Sequence, residues 1–360
     1  MSTTPFRGVW VALLLSAAGV TTNAFACATC GCSLSTDAAM GYSTEPGWRL
    51  SLQYDFIDQN HLHIGRHATS APAVAAINDA GGDQEVERAT TNRTTTLGIG
   101  YAPSADWNLH LLVPFVDRSH STYGSATNPI TADQQSGSTI RGLGDIRFIV
   151  SYQGFLEDKS VGVQLGIEAP TGRYGGPGAD GSGVVGRRPI AFGSGPISRN
   201  PSPDNLVDTS LQPGTGSTDV VVGAYAHRFV TDNVNAFVNG QFQAAVAHRL
   251  DRAGEDFRPG NTTTIGFGAR YEARPDIVPQ LQINVFRKGR DRGALADYPN
   301  SAGTVVYAAP GVTVAIAENV QAFGFAQLPL YATWSATSSR RAGRLRPASA
   351  TPSEPRGSTP

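Results

Sequence analysis

In the stretch WRLSLQYDFID, Trp48, Leu50, Leu52, Tyr54 and Phe56 fall on one side, and Arg49, Ser51, Gln53 and Asp55 on the other. Successive side chains of an extended strand point to opposite faces, so this alternation predicts a strand with one apolar and one polar face. The pattern recurs. WNLHLLVPFV groups Trp107, Leu109, Leu111, Val113 and Phe115, and VGVQLGIEA sets Val161, Val163, Leu165 and Ile167 against Gln164 and Glu168. The same reading places strands at roughly 91–102, 143–153, 218–228, 234–246, 261–273, 277–287, 304–316 and 320–331. That makes eleven.

The connections narrow the fold further. Residues 103–106, 154–160, 229–233, 274–276 and 317–319 are short and rich in turn formers. Residues 59–90, 118–142, 171–217, 247–260 and 288–303 are long and polar. Short and long strictly alternate, as in antiparallel strands that cross a membrane with short periplasmic turns and long external loops. A closed barrel is also the one sheet that leaves no backbone unpaired in lipid. A soluble β-sandwich would not sort its loops by length to opposite ends. Helical spans are excluded, because no mature segment holds 18 consecutive apolar residues. The expected fold is therefore all-β: a transmembrane antiparallel β-barrel of about 12 strands, with a periplasmic N-terminus and long extracellular loops. Single-chain bacterial barrels have an even strand count, so a twelfth strand is expected beyond Tyr331, nearest in Ala332 to Ser338. Trp48, Tyr101, Trp107, Tyr152, Tyr271 and Tyr331 near strand ends suit interfacial girdles.

The chain is expected to divide into a signal peptide (1–26), a periplasmic cysteine-bearing segment (27–46), the barrel (47–338) and a disordered tail (339–360). The signal peptide rests on Arg7, the apolar run Val9 to Val20 and the cleavage pattern Ala24-Phe25-Ala26. The location expected is the outer membrane of a Gram-negative bacterium, reached by export through the inner membrane. All three cysteines, Cys27, Cys30 and Cys32, lie in FACATCGCSLS. Covalent haem attachment fails, because Gly31 rather than His follows Cys30. Three alternatives stay open. They are a disulfide with one spare thiol, a soft-metal site for Cu or Zn completed by a periplasmic partner, and lipidation of Cys27, though Ala24 stands where a lipobox has Leu. No cofactor is otherwise indicated. The net charge of −1 offers no nucleic-acid footprint.

LGDIRFIVSYQGFLEDKSVGVQLGIEAPTGRYG and LQPGTGSTDVVVGAYAHRF resemble the bacterial outer-membrane transporter family named for a phenol-degradation meta-pathway. The resemblance rests on Gly144-Asp145-Ile146, Pro170-Thr171-Gly172 and Pro213 to Asp219, with Gln327 to Tyr331 as a penultimate strand. It spans roughly residues 45–331. It implies a barrel transporter for small solutes, aromatic or hydrophobic by analogy, inserted into outer-membrane lipid by the barrel assembly machinery. Family members end on a strand closing with Phe. This chain departs from that after Tyr331, in the manner of a changed reading frame or a degenerate end.

On the barrel reading the polar face lines a lumen. The expected lining is Arg49, Asp55, Asp145, Arg147, Gln164, Glu168, Asp219, Gln241, Arg270 and Gln282, with Asp145 and Arg147 forming an ion pair. These residues either line a polar passage or satisfy one another in a filled lumen. His61, His63 and His67 in the first long loop read as solvated histidines rather than as a metal site. His110 and His227 have no evident nucleophile partner, so no enzyme is expected. Two function classes stand: a channel or transporter for small solutes, and a docking barrel whose cysteine segment recruits a metal or electron-transfer partner.

Overall fold

The computed structural model describes residues 45–64, 67–81, 86–123, 127–131, 135–172, 212–248, 257–293, 301–317 and 319–334. The expected signal peptide, all three cysteines, the sequence from residue 335 onward, including the expected tail at 339–360, and most of the 171–217 connection lie outside the described residues.

The strands are β1 (Gly47–Gln59), β2 (His63–Ile64), β3 (His67–Ala68), β4 (Glu87–Ser104), β5 (Trp107–Tyr123), β6 (Gln135–Leu143), β7 (Ile146–Tyr152) and β8 (Val161–Ala169), followed by β9 (Ser217–Thr231), β10 (Val234–His248), β11 (Thr262–Tyr271), β12 (Ile277–Lys288), β13 (Gly303–Ala317), β14 (Val320–Phe325) and β15 (Leu328–Trp334). One helix, α1 (Ala71–Asp79), sits in the first long connection. Apart from the small β2–β3 hairpin, all strands form one antiparallel sheet in the order β1-β4-β5-β7-β8-β9-β10-β11-β12-β13-β14. β6 continues the β7 path along β5, and β15 continues the β14 path along β13. The path is thus an eleven-strand meander that curls into a half-barrel, with every pairing antiparallel.

The distribution of polarity is the reverse of a soluble core. Large apolar side chains stand exposed on one face: Leu50 is 74% exposed, Leu52 72% and Leu165 61%. The other face buries many polar side chains, including Gln53, Asn92, Asn108, Gln153, Glu168, Asp219, Gln280 and Gln282, interspersed with apolar ones such as Val116, Ile149, Val221, Phe237 and Phe286. At the short-turn end the apolar face carries paired aromatics. Trp48 lies 4.6 Å from Tyr101, and Trp107 lies 4.7 Å from Tyr152. Such amphipathic rings sit at a membrane–water boundary.

Three expectations are corrected. The polar stretches given to loops are partly structured: β4 begins at Glu87, β5 runs to Tyr123, and β6 occupies 135–143. Residues 71–79 (APAVAAIND) form a helix because Pro72 sits in the first turn and Ala dominates the rest. Its Val74 and Ala75 are buried with Val86 against Leu62, Ile64, Tyr123 and Ile130, a small apolar core over the long-loop end. Finally, Ala332 to Trp334 do not open a twelfth strand. They end β15, held by pairing with Gly303 to Val305 of β13.

Candidate functional site

The polar face between β7 and β10 is built around glycines. Gly223 of β9 is paired with Gln164 on one side and Gln241 on the other. With no side chain between them, Gln241 Nε2 donates to Gln164 Oε1 across the intervening strand at 2.8 Å. A Cβ at Gly223 would lie 2.9 Å from the Gly240 carbonyl oxygen and 3.0 Å from both glutamine side chains. Gly162 likewise leaves room for the ring of Tyr225, whose hydroxyl donates to Gln153 Oε1 at 2.6 Å.

Above this row lies a charged cluster. Arg147 Nη2 reaches Glu168 Oε2 at 2.6 Å, and Arg147 Nε reaches the same oxygen at 3.0 Å. Arg147 also donates to Gln243 Oε1 at 2.8 Å, across β8 and β9. Neighbouring strands are about 4.8 Å apart, so side chains three strands apart meet only if the polar face is the concave one. Gln243 Nε2 in turn donates to Glu168 and Asp219 at 2.9 and 2.7 Å. A buried carboxylate is tolerated when paired and hydrogen-bonded, and Glu168 has both kinds of partner.

The expected Asp145–Arg147 pair does not form. Gly144 and Asp145 lie between β6 and β7 and are both buried, so the two-residue parity of a strand is not carried through them. Asp145 instead ties together three separate segments. Gly172 N and Thr215 N donate to Asp145 Oδ1 and Oδ2 at 2.9 and 2.6 Å, and Thr215 Oγ1 donates to Oδ2 at 2.8 Å. Thr171 Oγ1 donates to the Gly144 carbonyl at 3.1 Å and accepts from Ile146 N at 2.9 Å. Gly172 and Gly214 touch backbone to backbone: a Cβ on Gly172 would stand 2.7 Å from Gly214 Cα. The Gly-Asp-Ile, Pro-Thr-Gly and Pro-Gly-Thr-Gly motifs are one structural knot that pinches together the two ends of the long β8–β9 connection.

The other expected lining residues are also on the polar face. Arg49 donates to Asn108 Oδ1 at 3.0 Å, and Gln53 Nε2 to both Asp55 oxygens at 3.0 Å. Arg270 pairs with Glu272 at 2.8 Å, and Gln282 Nε2 is 3.5 Å from Gln280 Oε1. Two clusters escaped the sequence reading. At the long-loop end, buried Thr90 lies 2.7 Å from His120 Nδ1 and donates to Glu87. Lys288 and Asp291 form a buried pair at 2.9 Å that also receives the Gly260 N–H at 2.7 Å. Each depends on residues distant in sequence or in a polar loop, with no periodic signature to find them by.

His63 is not simply solvated. It is half-buried in the β2–β3 hairpin, and burial, then the neighbouring His61, lower its pKa from the ordinary imidazole value. Among the described residues no group of three or more His, Cys, Asp or Glu is placed to hold a metal ion.

The arrangement is similar to that of a solved outer membrane channel from Pseudomonas putida F1. The two superimpose with a TM-score of 0.54 at 12% sequence identity, over 81% of this chain and 90% of that one. This places the chain in the outer-membrane β-barrel fold. No family model matches the chain, and no curated protein matches it.

Proposed function

We propose that this chain is an outer-membrane channel for small solutes, not an enzyme. The observation that carries this reading is the inverted polarity of the sheet. The convex face is apolar and exposed, and the concave face carries the charged and hydrogen-bonded polar side chains. A lipid-facing exterior around a water-facing interior is what the reversal suits. The likeness to the Pseudomonas putida channel supports it at the level of fold. The motif resemblance extends the reading to the phenol meta-pathway transporter type and to aromatic or hydrophobic solutes. On this reading the protein is exported by residues 1–26, inserted by the barrel assembly machinery, and its ten polar-face residues line the passage.

Liposome swelling with a panel of neutral sugars and small aromatic acids tests it. Proteoliposomes should swell faster than protein-free vesicles, and fastest with the preferred class. Swelling no faster than in empty vesicles for every solute would sink the proposal. In planar bilayers Arg147→Gln should shift ion preference towards cations, because Glu168 then lacks its cation.

A further inference from the structure

The convex face changes character along its strands, and the change is sharp between β1 and β6. One transverse row, read through paired residues, is Tyr54–Thr95–Phe115–Leu143. Phe115 is 50% exposed there and Leu143 40%. The next row towards the long-loop end is Phe56–Arg93–Asp117–Arg141. The row beyond is Asp58–Thr91–Ser119. The passage from apolar to charged to hydroxyl-bearing side chains marks the edge of the lipid-facing band.

In the charged row two arginines bracket one carboxylate. Arg141 Nε lies 3.1 Å from Asp117 Oδ2, and Arg93 Nη1 lies 3.9 Å from Oδ1. The Arg93 guanidinium also stands 6.0 Å over the Phe56 ring. The Arg141 side chain is 68% exposed. The row carries a net charge of +1, and the two arginine backbones are about 10 Å apart, two strand spacings. An exposed ladder of this kind contributes little to stability, so folding alone does not account for it. Its position does suggest a partner. Arginine forks match phosphate oxygens geometrically, and the apolar side chains beside them suit an acyl chain.

We propose that Arg93 and Arg141 bind the phosphate of an outer-leaflet lipid headgroup, whose acyl chains lie over Phe56, Phe115 and Leu143. This rests on the reading that the barrel stands in the outer membrane with its long loops outward. Asp117 pairs with both guanidinium groups, offsets part of their charge and so limits the affinity of the site.

The test uses the full chain purified in detergent, titrated with bis-phosphorylated lipid A and followed by native mass spectrometry. Wild type should retain the lipid, and Arg93→Gln/Arg141→Gln should weaken retention about twenty-five-fold, at about a factor of five for each arginine. Asp117→Asn should strengthen it. Folding of each variant is checked by heat-modifiable gel migration. If the double variant does not fold, Arg141→Gln and Asp117→Asn carry the test through their opposite shifts. Equal retention by wild type and variants overturns the site, as does equal retention of the dephosphorylated lipid. Displacement by inorganic phosphate at the lipid's own concentration would show a free-anion site instead. No solute flux enters the measurement, so failure of the channel reading and failure of the lipid site are separable.

Discussion

The middle of the sheet and its last strand follow the same alternating pattern, yet they are held very differently. β7 pairs with β8, and β8 with β9, without a register shift. Their polar side chains interlock over glycines. The last strand is broken at Ala326 and Gln327 into β14 and β15, and both halves pair with β13 through register shifts. Gly223 in the middle meets three atoms within 3.0 Å of where a Cβ would be, whereas Gly324 in β14 meets nothing within 4 Å. Alternation is enough to place a strand. An edge position alone does not break register, since β1 also has one neighbour and pairs with β4 without a shift; the middle strands add side chains that reach across their neighbours. In the described residues the last strand has a neighbour on one side only.

The largest effect should come from removing a charge in the interlocked region. Arg147→Met leaves Glu168 buried without its cation, at a cost of about 3 kcal/mol. Urea unfolding from lipid vesicles measures it. Arg147→Met/Glu168→Leu should recover most of the loss, and a double variant as unstable as the single would show that the pair is not the cause. Next comes the knot. Asp145→Ala strips acceptors from Gly172 N and Thr215 N and should cost about 2 kcal/mol. It should also raise protease cleavage between 173 and 211, while an unchanged cleavage pattern would mean the loop ends are held by something else.

A glycine pair sharpens the contrast directly. Gly223→Ala must displace the Gly240 carbonyl or the two glutamines, at about 1–2 kcal/mol. Gly324→Ala meets open space and should be neutral or stabilising by about 0.5 kcal/mol. Equal effects of the two substitutions in the same unfolding assay would remove the distinction between the regions.

Much of this was legible in advance, for a physical reason. Where a strand touches lipid on one side and polar groups on the other, each residue is constrained by its parity, so Trp48 to Phe56 announce themselves. Beyond the lipid band that constraint lapses. The extensions at 87–90, 118–123 and 135–142 carry Thr, Ser, His and Arg without alternation, and they read as loop although their backbones pair. The three motifs around Asp145 were visible singly, but their convergence was not, since Asp145 and Thr215 are 70 residues apart. The expected partner of Arg147 was wrong because two-residue spacing was carried through a bend that breaks parity.

The smallest predicted effect lies in a short turn, outside both regions, and it calibrates them. Arg274 and Asp276 meet at 2.6 Å between β11 and β12, both exposed to solvent. The hydrogen bond from Arg274 is the main influence holding the Asp276 carboxyl below its ordinary value. A carboxylate with a depressed folded-state pKa stabilises the fold above its unfolded pKa, and the contribution is lost as pH falls through the folded value. Wild type should therefore exceed Asp276→Asn in stability only slightly at neutral pH, and the gap should close in acid. It should also shrink in high salt, because exposed pairs are screened. Arg147 and Glu168 are shielded from salt by their burial, so their variant's deficit should persist under the same salt. Parallel salt titrations of Arg147→Met and Asp276→Asn separate a buried pair from an exposed one, and a deficit of Arg147→Met that salt abolished would place that pair in open water.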